Sequence, residues 1–423
     1  MLRLFLLLGV PAMRSAAQLT PPPAALVPSW TAARCDAARP LGGFARLPGA
    51  AHTKIYNGSL EHGAYSHAPM IGYDSARLFA AWKNDLEDED SPGERIVYSQ
   101  SADGVEWSRA AGAPPAVLFP NMSTAATPAA LFVGPPLYVG GRMYAAASPR
   151  QYCLYPAPDF SAPILLLRRV LPDAAGALGP VFWSTPAIPR GFELASALNN
   201  VTTVASMDPQ VRADVALLVN ASAYDKDFMP CAAPAETAKC EACAGGCQPW
   251  EQAPSEIIFE RTHYTVGPAD ARVGFPQVLL WRTRSPTNNS LWASVQQSAA
   301  DAWSAVVPTN IPNQPANINA GALPSGRRYL ALNPCPSRDP LVLATSPEGL
   351  AWDTELAVAT CTDLAPARAA CSRRNPGRNT GTGLAYPQVL VLDGAAQPPA
   401  LRGTWLIWSN NKEDIWVTRA DVV

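Results

Sequence analysis

The sequence predicts an all-β fold, and within that class a single six-bladed β-propeller. Short apolar runs rich in Val, Ile, Tyr and Trp recur along the 423 residues, bounded by Gly, Pro, Asp and Asn. None of these runs continues with a helical period. A unit of two such runs, a turn and a Trp also recurs. Sheets arranged radially are one way in which a chain of many short strands protects its edges.

The recurring unit is an apolar strand, a turn, a second strand ending in Ser or Thr, a turn with Gly or Asp, and a Trp. A β-sandwich or a β-helix is the alternative; a sandwich also contains short strands, but it does not predict this repeat. The clearest copies occupy residues 77–107 and 328–352, more degenerate copies occupy 278–303 and 142–183, and the copy at 404–418 lacks the final turn.

The N-terminus has the pattern of a secretory signal peptide. Arg3 precedes a short apolar run at residues 4–10, and small residues at 15–17 offer a cleavage site. The apolar run is too short to span a bilayer, which takes roughly 20 residues. We therefore expect a leader at residues 1–17, a mature domain at 18–423 and a secreted or luminal protein. Five glycosylation sequons fit this route: Asn57, Asn121, Asn200, Asn220 and Asn288.

The least regular region, residues 188–256, is interpreted as a degenerate third blade with a Cys-rich insertion at about 229–250. The Cys-x2-Cys spacing there is compatible with a zinc site, but an oxidising compartment favours disulfides. The nine Cys residues leave at least one thiol unpaired or intermolecular. Four Cys residues lie in the insertion, and three later ones could supply another bridge: Cys231, Cys240, Cys243 and Cys247, then Cys335, Cys361 and Cys371.

Several function classes lack support in the sequence. The formal net charge is −2 and no long basic run is present, which argues against nucleic-acid binding. Gly-rich phosphate loops and a Gly-x-Ser-x-Gly elbow are both missing, so we expect neither a nucleotide cofactor nor a serine hydrolase. Glu260 and His263 are three residues apart and face opposite sides of a strand, so we expect no catalytic metal.

Two of the turns in the repeat carry a recognisable motif. Ser101, Asp103 and Trp107, with a Gly one place early, resemble the Asp box of sialidases and other BNR-repeat proteins. Residues 346–352 resemble it with Glu in place of Asp. In that family the box is structural: its Ser and Asp hydrogen-bond a tight turn, and its Trp packs between the hairpin strands. The resemblance extends over about residues 50–420.

The resemblance also implies a catalytic site. Tyr386, which opens the last blade, matches the position of the family's tyrosine nucleophile, with Pro387 in place of Ser. Glu260 matches the glutamate that accepts the proton of the tyrosine. The acidic run at residues 85–90 lies where the family has its acid/base Asp; Asp85, Asp88 and Asp90 are candidates, and Asp90 is our choice. Alternatively, Tyr386 is a core aromatic residue and the acidic run a solvated loop.

Three basic residues are candidates for holding a substrate carboxylate. Arg282 and Arg338 match two of the family's three arginines, and Lys412 lies in a turn at 410–415 that either faces the central channel or is an ordinary hairpin turn. His67 stands where the family has its first Arg. A permanently charged arginine binds a carboxylate through two hydrogen bonds, so its loss would weaken such a clamp by about 1.5–3 kcal/mol per charged bond.

These assignments predict a secreted glycosidase of the exo-α-sialidase type, acting on a terminal acidic sugar of a glycan. The His67 substitution supports an alternative, because His67 and Tyr386 together resemble the His/Tyr apparatus of some propeller polysaccharide lyases. That alternative is a uronate-specific lyase. A non-catalytic glycan-binding propeller is the third hypothesis, since a fold does not imply an activity.

Overall fold

The computed structural model describes residues 20–86, 88, 92–151, 165–171, 178–220, 257–267, 276–283, 289–298, 300–301, 303–364, 372–374 and 382–421. Strands dominate these residues, which confirms the predicted all-β class. The leader, the Cys-rich insertion and Asp90 lie outside the described residues.

The strands are numbered in chain order. They are β1 (Ser29–Trp30), β2 (Ala45–Arg46), β3 (Ala51–Asn57), β4 (Tyr65–Tyr73), β5 (Leu78–Asp85), β6 (Arg95–Ser101), β7 (Ala116–Phe119), β8 (Ala129–Val133), β9 (Leu137–Val139), β10 (Arg142–Gln151), β11 (Leu166–Val170), β12 (Leu178–Trp183), β13 (Thr202–Thr203), β14 (Ile257–Thr265), β15 (Gln277–Thr283), β16 (Ser290–Gln296), β17 (Val307–Pro312), β18 (Asn319–Ala322), β19 (Arg328–Leu332), β20 (Leu341–Ser346), β21 (Ala351–Trp352), β22 (Thr354–Ala359), β23 (Leu384–Leu392), β24 (Gly403–Asn410) and β25 (Asp414–Ala420). The helices are α1 (Glu193–Leu198), α2 (Pro209–Asn220) and α3 (Cys361–Leu364).

The described strands form five sheets of four or more strands, together with a parallel pair between β1 and β21. Sheet I contains β4–β7, sheet II β8–β13, and sheet III β14–β17. Sheet IV contains β18–β20, β22 and β2, and sheet V contains β23–β25 and β3. The N-terminal strands β2 and β3 thus complete sheets whose other strands come from the C-terminal part of the chain. The predicted number of six blades is not confirmed.

Successive sheets pack on one another in the order III, IV, V, I and II. The first strands of neighbouring sheets meet, since β18 contacts β14 and β23, and β4 contacts β23 and β8. Buried apolar clusters fill each of these four interfaces. Members from the facing sheets include Val278 and Leu330, Leu343 and Trp408, Trp405 and Trp82, and Ile96 and Leu131.

This packing explains why the strands read as continuous apolar runs instead of alternating patterns. A sheet with a neighbour on each face buries both of its surfaces, so both sets of side chains leave water. Every residue of β5 and of β20 is buried. In β24 only the last residue, Asn410, is partly exposed.

The Asp-box turn has the hydrogen bonds that the resemblance implies. The Ser101 hydroxyl accepts the backbone N–H of Gly104 at 2.7 Å, and the Asp103 carboxylate accepts two backbone N–H groups at 2.8 Å. Gly104 has a φ of +78°, and a Cβ there would overlap the ring of Trp405. The second Asp-box-like turn, at residues 346–352, has the matching serine bond: the Gly349 N–H donates to the Ser346 hydroxyl at 2.9 Å.

The interpretation of residues 188–256 as a blade is wrong for the part that is described. Residues 193–198 and 209–220 are helical, and the two-residue β13 merely extends sheet II. The sequence does hold a start signal for α2: Asp208 caps the helix by accepting the Val211 N–H at 2.9 Å, and Pro209 follows it. Val211, Val215 and Leu218 recur at helical spacing and are buried against sheet II.

One disulfide joins the N-terminal segment to sheet IV. It links Cys35 and Cys335, which are 300 residues apart in sequence. Cys361 is disulfide-bonded as well. Cys335 immediately precedes the turn that carries Arg338, so the disulfide ties the N-terminal segment to the edge of the candidate site. Among the described residues no helix is long and apolar enough to cross a membrane.

Candidate active site

The candidate site lies where the first strands of the sheets meet. His67 is on β4, Glu260 on β14 and Tyr386 on β23, so each of these residues belongs to the first strand of its sheet. Because β4, β23, β18 and β14 contact one another in that order, strands far apart in sequence are neighbours here. The side chain of Glu260 is not described, so its role stays a prediction.

His67 and Tyr386 lie at matching irregularities of the backbone. The pairing of β4 with β5 shifts between His67 and Met70, and the pairing of β23 with β24 shifts between Ala385 and Gln388. Each shift inserts one residue at an Xaa-Pro step, where the missing N–H of proline suits a bulge. Such bulges re-aim side chains, which brings the two rings together.

His67 and Tyr386 are in direct contact. Their ring centroids are 3.9 Å apart, and both side chains are buried. His67 Nδ1 is 2.7 Å from the hydroxyl of Ser409, which also donates to the Ala385 carbonyl at 3.2 Å. The imidazole is therefore held between sheets I and V with its orientation set by Ser409.

The three predicted carboxylate-binding residues converge on this pair. The guanidinium of Arg282, on β15, lies 5.3 Å from the Tyr386 ring centroid. Arg338 is the last residue of a short turn after β19 and donates to the carbonyl of Pro315. Lys412 is buried in the turn between β24 and β25, and its carbonyl accepts the N–H of Ser66, next to His67.

These cations act on His67 electrostatically. Burial, and then the positive charges of Lys412, Arg338, Lys83 and Arg282, hold the pKa of His67 well below its usual range. Both effects disfavour the imidazolium ion. The neutral form of the His67 imidazole is thus favoured in the folded protein.

The backbone around the site is strained. Several non-glycine residues there have positive φ, which for residues other than Gly and Asn costs energy that the surrounding fold must supply. Such strain clusters at functional sites in many proteins. The residues concerned are Ala68 (48°), Ser337 (60°), Arg338 (56°), Tyr386 (60°), Asn411 (56°) and Lys412 (56°).

Of the acidic run at residues 85–90, Asp90 is not described, and Asp85 is buried at the end of β5. Two further charged residues of this region are not predicted from the sequence. Lys83, on β5, and Glu94, just before β6, form a buried ion pair with an Nζ–Oε1 distance of 2.8 Å. No sequence signal marks this pair except a Lys in a strand that is otherwise largely apolar. Within the described ranges, no group of His, Cys, Asp and Glu residues is arranged to hold a metal ion.

Comparison with solved structures shows which proteins have a similar fold. A solved sialidase structure matches 93% of the chain with a TM-score of 0.61 at 17% sequence identity. The chain spans about a third (35%) of the length of that sialidase. Weaker matches are a sialidase of Trypanosoma rangeli (TM-score 0.43, 10% identity, 89% of this chain and 60% of that one) and an α-L-arabinofuranosidase of Podospora anserina (0.38, 8%, 90% and 99%). The protein therefore has a sialidase-like, all-β fold.

The family resemblance is also found at the level of sequence. A BNR repeat-like domain matches residues 274–396, which include Arg282, Arg338 and Tyr386. The resemblance to sialidase-like BNR-repeat proteins is thus confirmed. A search of curated protein sequences found no significant match.

Proposed function

We propose that the protein is a glycoside hydrolase that releases a terminal acidic sugar from a glycan, in the manner of an exo-α-sialidase. The observation that supports this most directly is the position of Tyr386. It is buried on the first strand of its sheet, with the Arg282 guanidinium over its ring. A cation over an aromatic ring stabilises negative charge that develops on the phenol oxygen.

In this proposal the Tyr386 oxygen attacks the anomeric carbon, and the bond between that carbon and the glycosidic oxygen breaks. The phenol proton passes to Glu260, or to the neutral imidazole of His67, which contacts the tyrosine ring. An Asp of the acidic run, with Asp90 our choice, protonates the departing oxygen. Water then hydrolyses the covalent tyrosyl glycoside and restores the phenol.

The substrate's acidic group is assigned to Arg282, Arg338 and Lys412. All three positive charges act on His67, Arg282 lies over the Tyr386 ring, and the two arginines can form paired hydrogen bonds with a carboxylate. His67 replaces the first arginine of the sialidase pattern. A neutral imidazole contributes less to a carboxylate clamp, so Lys412 supplies the third positive charge.

The test is release of free sugar from a panel of sialosides and other acidic glycosides by the purified protein. Tyr386→Phe removes the nucleophilic oxygen, so it should lower the rate by several orders of magnitude while substrate binding persists. Tyr98→Phe is the matched control, because Tyr98 stacks on Phe79 away from the site. No release by the wild-type protein from any member of the panel would exclude this function.

A second candidate function is a uronate lyase, which the His67–Tyr386 contact favours. Neutral His67 would remove the proton next to the sugar carboxylate, and Tyr386 would donate its proton to the departing oxygen. A carbon–carbon double bond forms as the carbon–oxygen bond breaks, so the product absorbs in the ultraviolet. A polyuronide panel with absorbance detection separates the two reactions. Binding without either product would indicate a glycan-binding protein.

Secretion and the complete propeller are part of the same proposal. A leader at residues 1–17 would route the chain to the secretory pathway, and amino-terminal sequencing of protein secreted from eukaryotic cells would test its removal at Gln18. The order of the five sheets, and the closure of sheet V by β3, support a propeller. An experimental structure of the whole chain would decide the number of blades.

A further inference from the structure

Gly383, just before β23, contacts two turns of the candidate site. One turn ends at Arg338, and the other contains Lys412 and connects β24 to β25. Gly383 has a φ of +85°, a left-handed conformation that glycine adopts readily and other residues do not. Tyr386 follows three residues later on the same strand. This glycine is therefore close, in space or along the chain, to three residues assigned to the proposed reaction.

The turn that ends at Arg338 packs directly on Gly383. A Cβ added to Gly383 would overlap the carbonyl oxygen of Ser337 and would lie 3.1 Å from the Cβ of Arg338. The overlapped oxygen belongs to the backbone, so it cannot move aside as the end of a flexible side chain could. Any residue larger than glycine must therefore displace either this turn or the start of β23.

The turn that contains Lys412 is hydrogen-bonded to the same glycine. The Gly383 N–H donates to the side-chain oxygen of Asn411 at 2.9 Å, and the Gly383 carbonyl accepts the Asn411 N–H at 2.8 Å. On its other side, the Lys412 carbonyl accepts the N–H of Ser66, the neighbour of His67. The position of Lys412 is thus set by Gly383 and by β4 together.

The electrostatics of His67 agree with this arrangement. Burial is the largest cause that lowers the pKa of His67, and among the neighbouring charges Lys412 and Arg338 have the largest effects. Coulombic effects weaken with distance, so two positive charges that both act on His67 also act on an anion bound beside it.

We propose that Gly383 is a positioning residue of the site: by contacting both turns, it holds Arg338 and Lys412 at the separation at which the two cations bind one carboxylate of an acidic sugar. This inference rests on the proposed function, because it takes an acidic sugar as the ligand. Glycine is needed at this position because only a residue without a Cβ lets the Arg338 turn approach the start of β23. The preference for acidic over uncharged sugars then depends on a residue that touches no sugar.

The test compares the binding of acidic sugars with that of their uncharged methyl esters by NMR titration. The probes are sialic, glucuronic and galacturonic acids and the methyl ester of each. Gly383→Ala should weaken the binding of an acid about tenfold to a hundredfold, which is the cost of one charge-assisted hydrogen bond, and should leave the binding of its ester unchanged. A merely structural defect would weaken the binding of acid and ester alike.

Gly326→Ala is the matched control for backbone strain. Gly326 lies in the turn between β18 and β19 with a φ of +83°, and a Cβ there would meet no described atom within 4 Å. This variant has the same conformational cost as Gly383→Ala without the overlap. Gly104→Ala, which overlaps the Trp405 ring, controls for lost stability. Both controls should keep the wild-type preference for acid over ester.

Asn411→Gly tests the same link if Gly383→Ala does not fold. Glycine readily adopts the left-handed φ of Asn411, but it lacks the side-chain oxygen that accepts the Gly383 N–H. The preference for acid over ester should fall about twofold to tenfold, the range for one uncharged hydrogen bond.

The two proposals can fail separately. An unchanged preference for the acid in folded Gly383→Ala, or in Asn411→Gly should the first variant not fold, would overturn the role of Gly383, whatever the activity of the protein. A preference that falls as expected, together with no release of sugar from any glycoside, would support the role of Gly383 and reject the glycosidase. If the wild-type protein binds none of the acids, or binds acid and ester equally, the carboxylate site and the role of Gly383 are both rejected.

Discussion

The anchoring of helix α2 to sheet II depends on one carboxylate. Asp214 accepts two hydrogen bonds from the Arg142 guanidinium, at 2.6 and 2.5 Å, and a third from the Tyr144 hydroxyl at 2.7 Å. Gln210, one turn earlier on α2, donates a fourth at 2.9 Å. The Asp214 side chain is only 1% exposed. We predict that Asp214→Asn, which keeps the shape and removes the charge, destabilises the protein.

The size of the expected destabilisation follows from the pKa of the Asp214 carboxyl group. Hydrogen bonding by Arg142 is the main cause that lowers the pKa of Asp214 from 3.8 to about 2. Each unit of such a shift corresponds to about 1.4 kcal/mol of preference for the folded state. The lowering of the pKa by about 1.8 therefore corresponds to about 2.5 kcal/mol of the free energy of unfolding at neutral pH.

The stabilisation by the Asp214 carboxylate should weaken as pH falls. A carboxyl group whose pKa is lower in the folded state stabilises the fold above its unfolded pKa, and this stabilisation is lost as pH falls through the folded pKa. The difference between wild type and Asp214→Asn should be full above about pH 5 and should shrink between pH 4 and about pH 2.

Urea unfolding of both proteins across this pH range is the assay, with circular dichroism as the signal. Asp208→Asn is the matched control on the same helix, since asparagine caps a helix about as well as aspartate. It should change the free energy of unfolding by only a few tenths of a kcal/mol. A difference for Asp214→Asn that stays constant down to the lowest pH would refute the electrostatic explanation, and a difference no larger than that of the control would refute the anchor itself.

Two further predictions follow from the turns and the surface. Gly104→Ala should destabilise the protein by about 2–3 kcal/mol, because the new methyl group meets the buried Trp405 ring at a backbone φ of +78°. Denaturant unfolding followed by Trp fluorescence measures this loss, and an unchanged free energy of unfolding would contradict the packing. On secretion from eukaryotic cells, the exposed Asn121 and Asn200 should carry glycans. Asn57 should not, because its amide oxygen accepts hydrogen bonds from two basic side chains. Peptide mass spectrometry tests this, and a glycan at Asn57 would contradict it.

The family pattern of the strands predicts several residues of the candidate site, and their catalytic and binding roles stay predictions. His67 and Tyr386 were selected as residues at the start of blades, and the structure brings them into contact. Arg282 and Arg338 were predicted by their match to two of the family's arginines, and Lys412 by its place in the turn at 410–415; all three charges act on His67. Glu260 lies on the first strand of sheet III as expected, while Asp90 stays a prediction because it lies outside the described residues.

The features that the sequence does not predict have physical reasons of their own. Helix α2 was overlooked because its apolar stripe is only three residues long, although Asp208 and Pro209 signal its start. Lys83 and Glu94 were overlooked because a charged pair inside a core becomes visible only when both partners are placed. The same holds for the disulfide between Cys35 and Cys335, whose pairing no local pattern specifies.

The sequence by itself determines the features that a few neighbouring residues control. The Asp-box turn at residues 101–107 forms its hydrogen bonds within seven consecutive residues, so its composition alone predicts its geometry. The apolar runs likewise determine strands, because each must be buried on both faces. The tertiary structure alone decides which strands become neighbours and which charges meet. The contact of His67 with Tyr386 joins segments hundreds of residues apart, and it exists only because sheets I and V pack with β4 against β23.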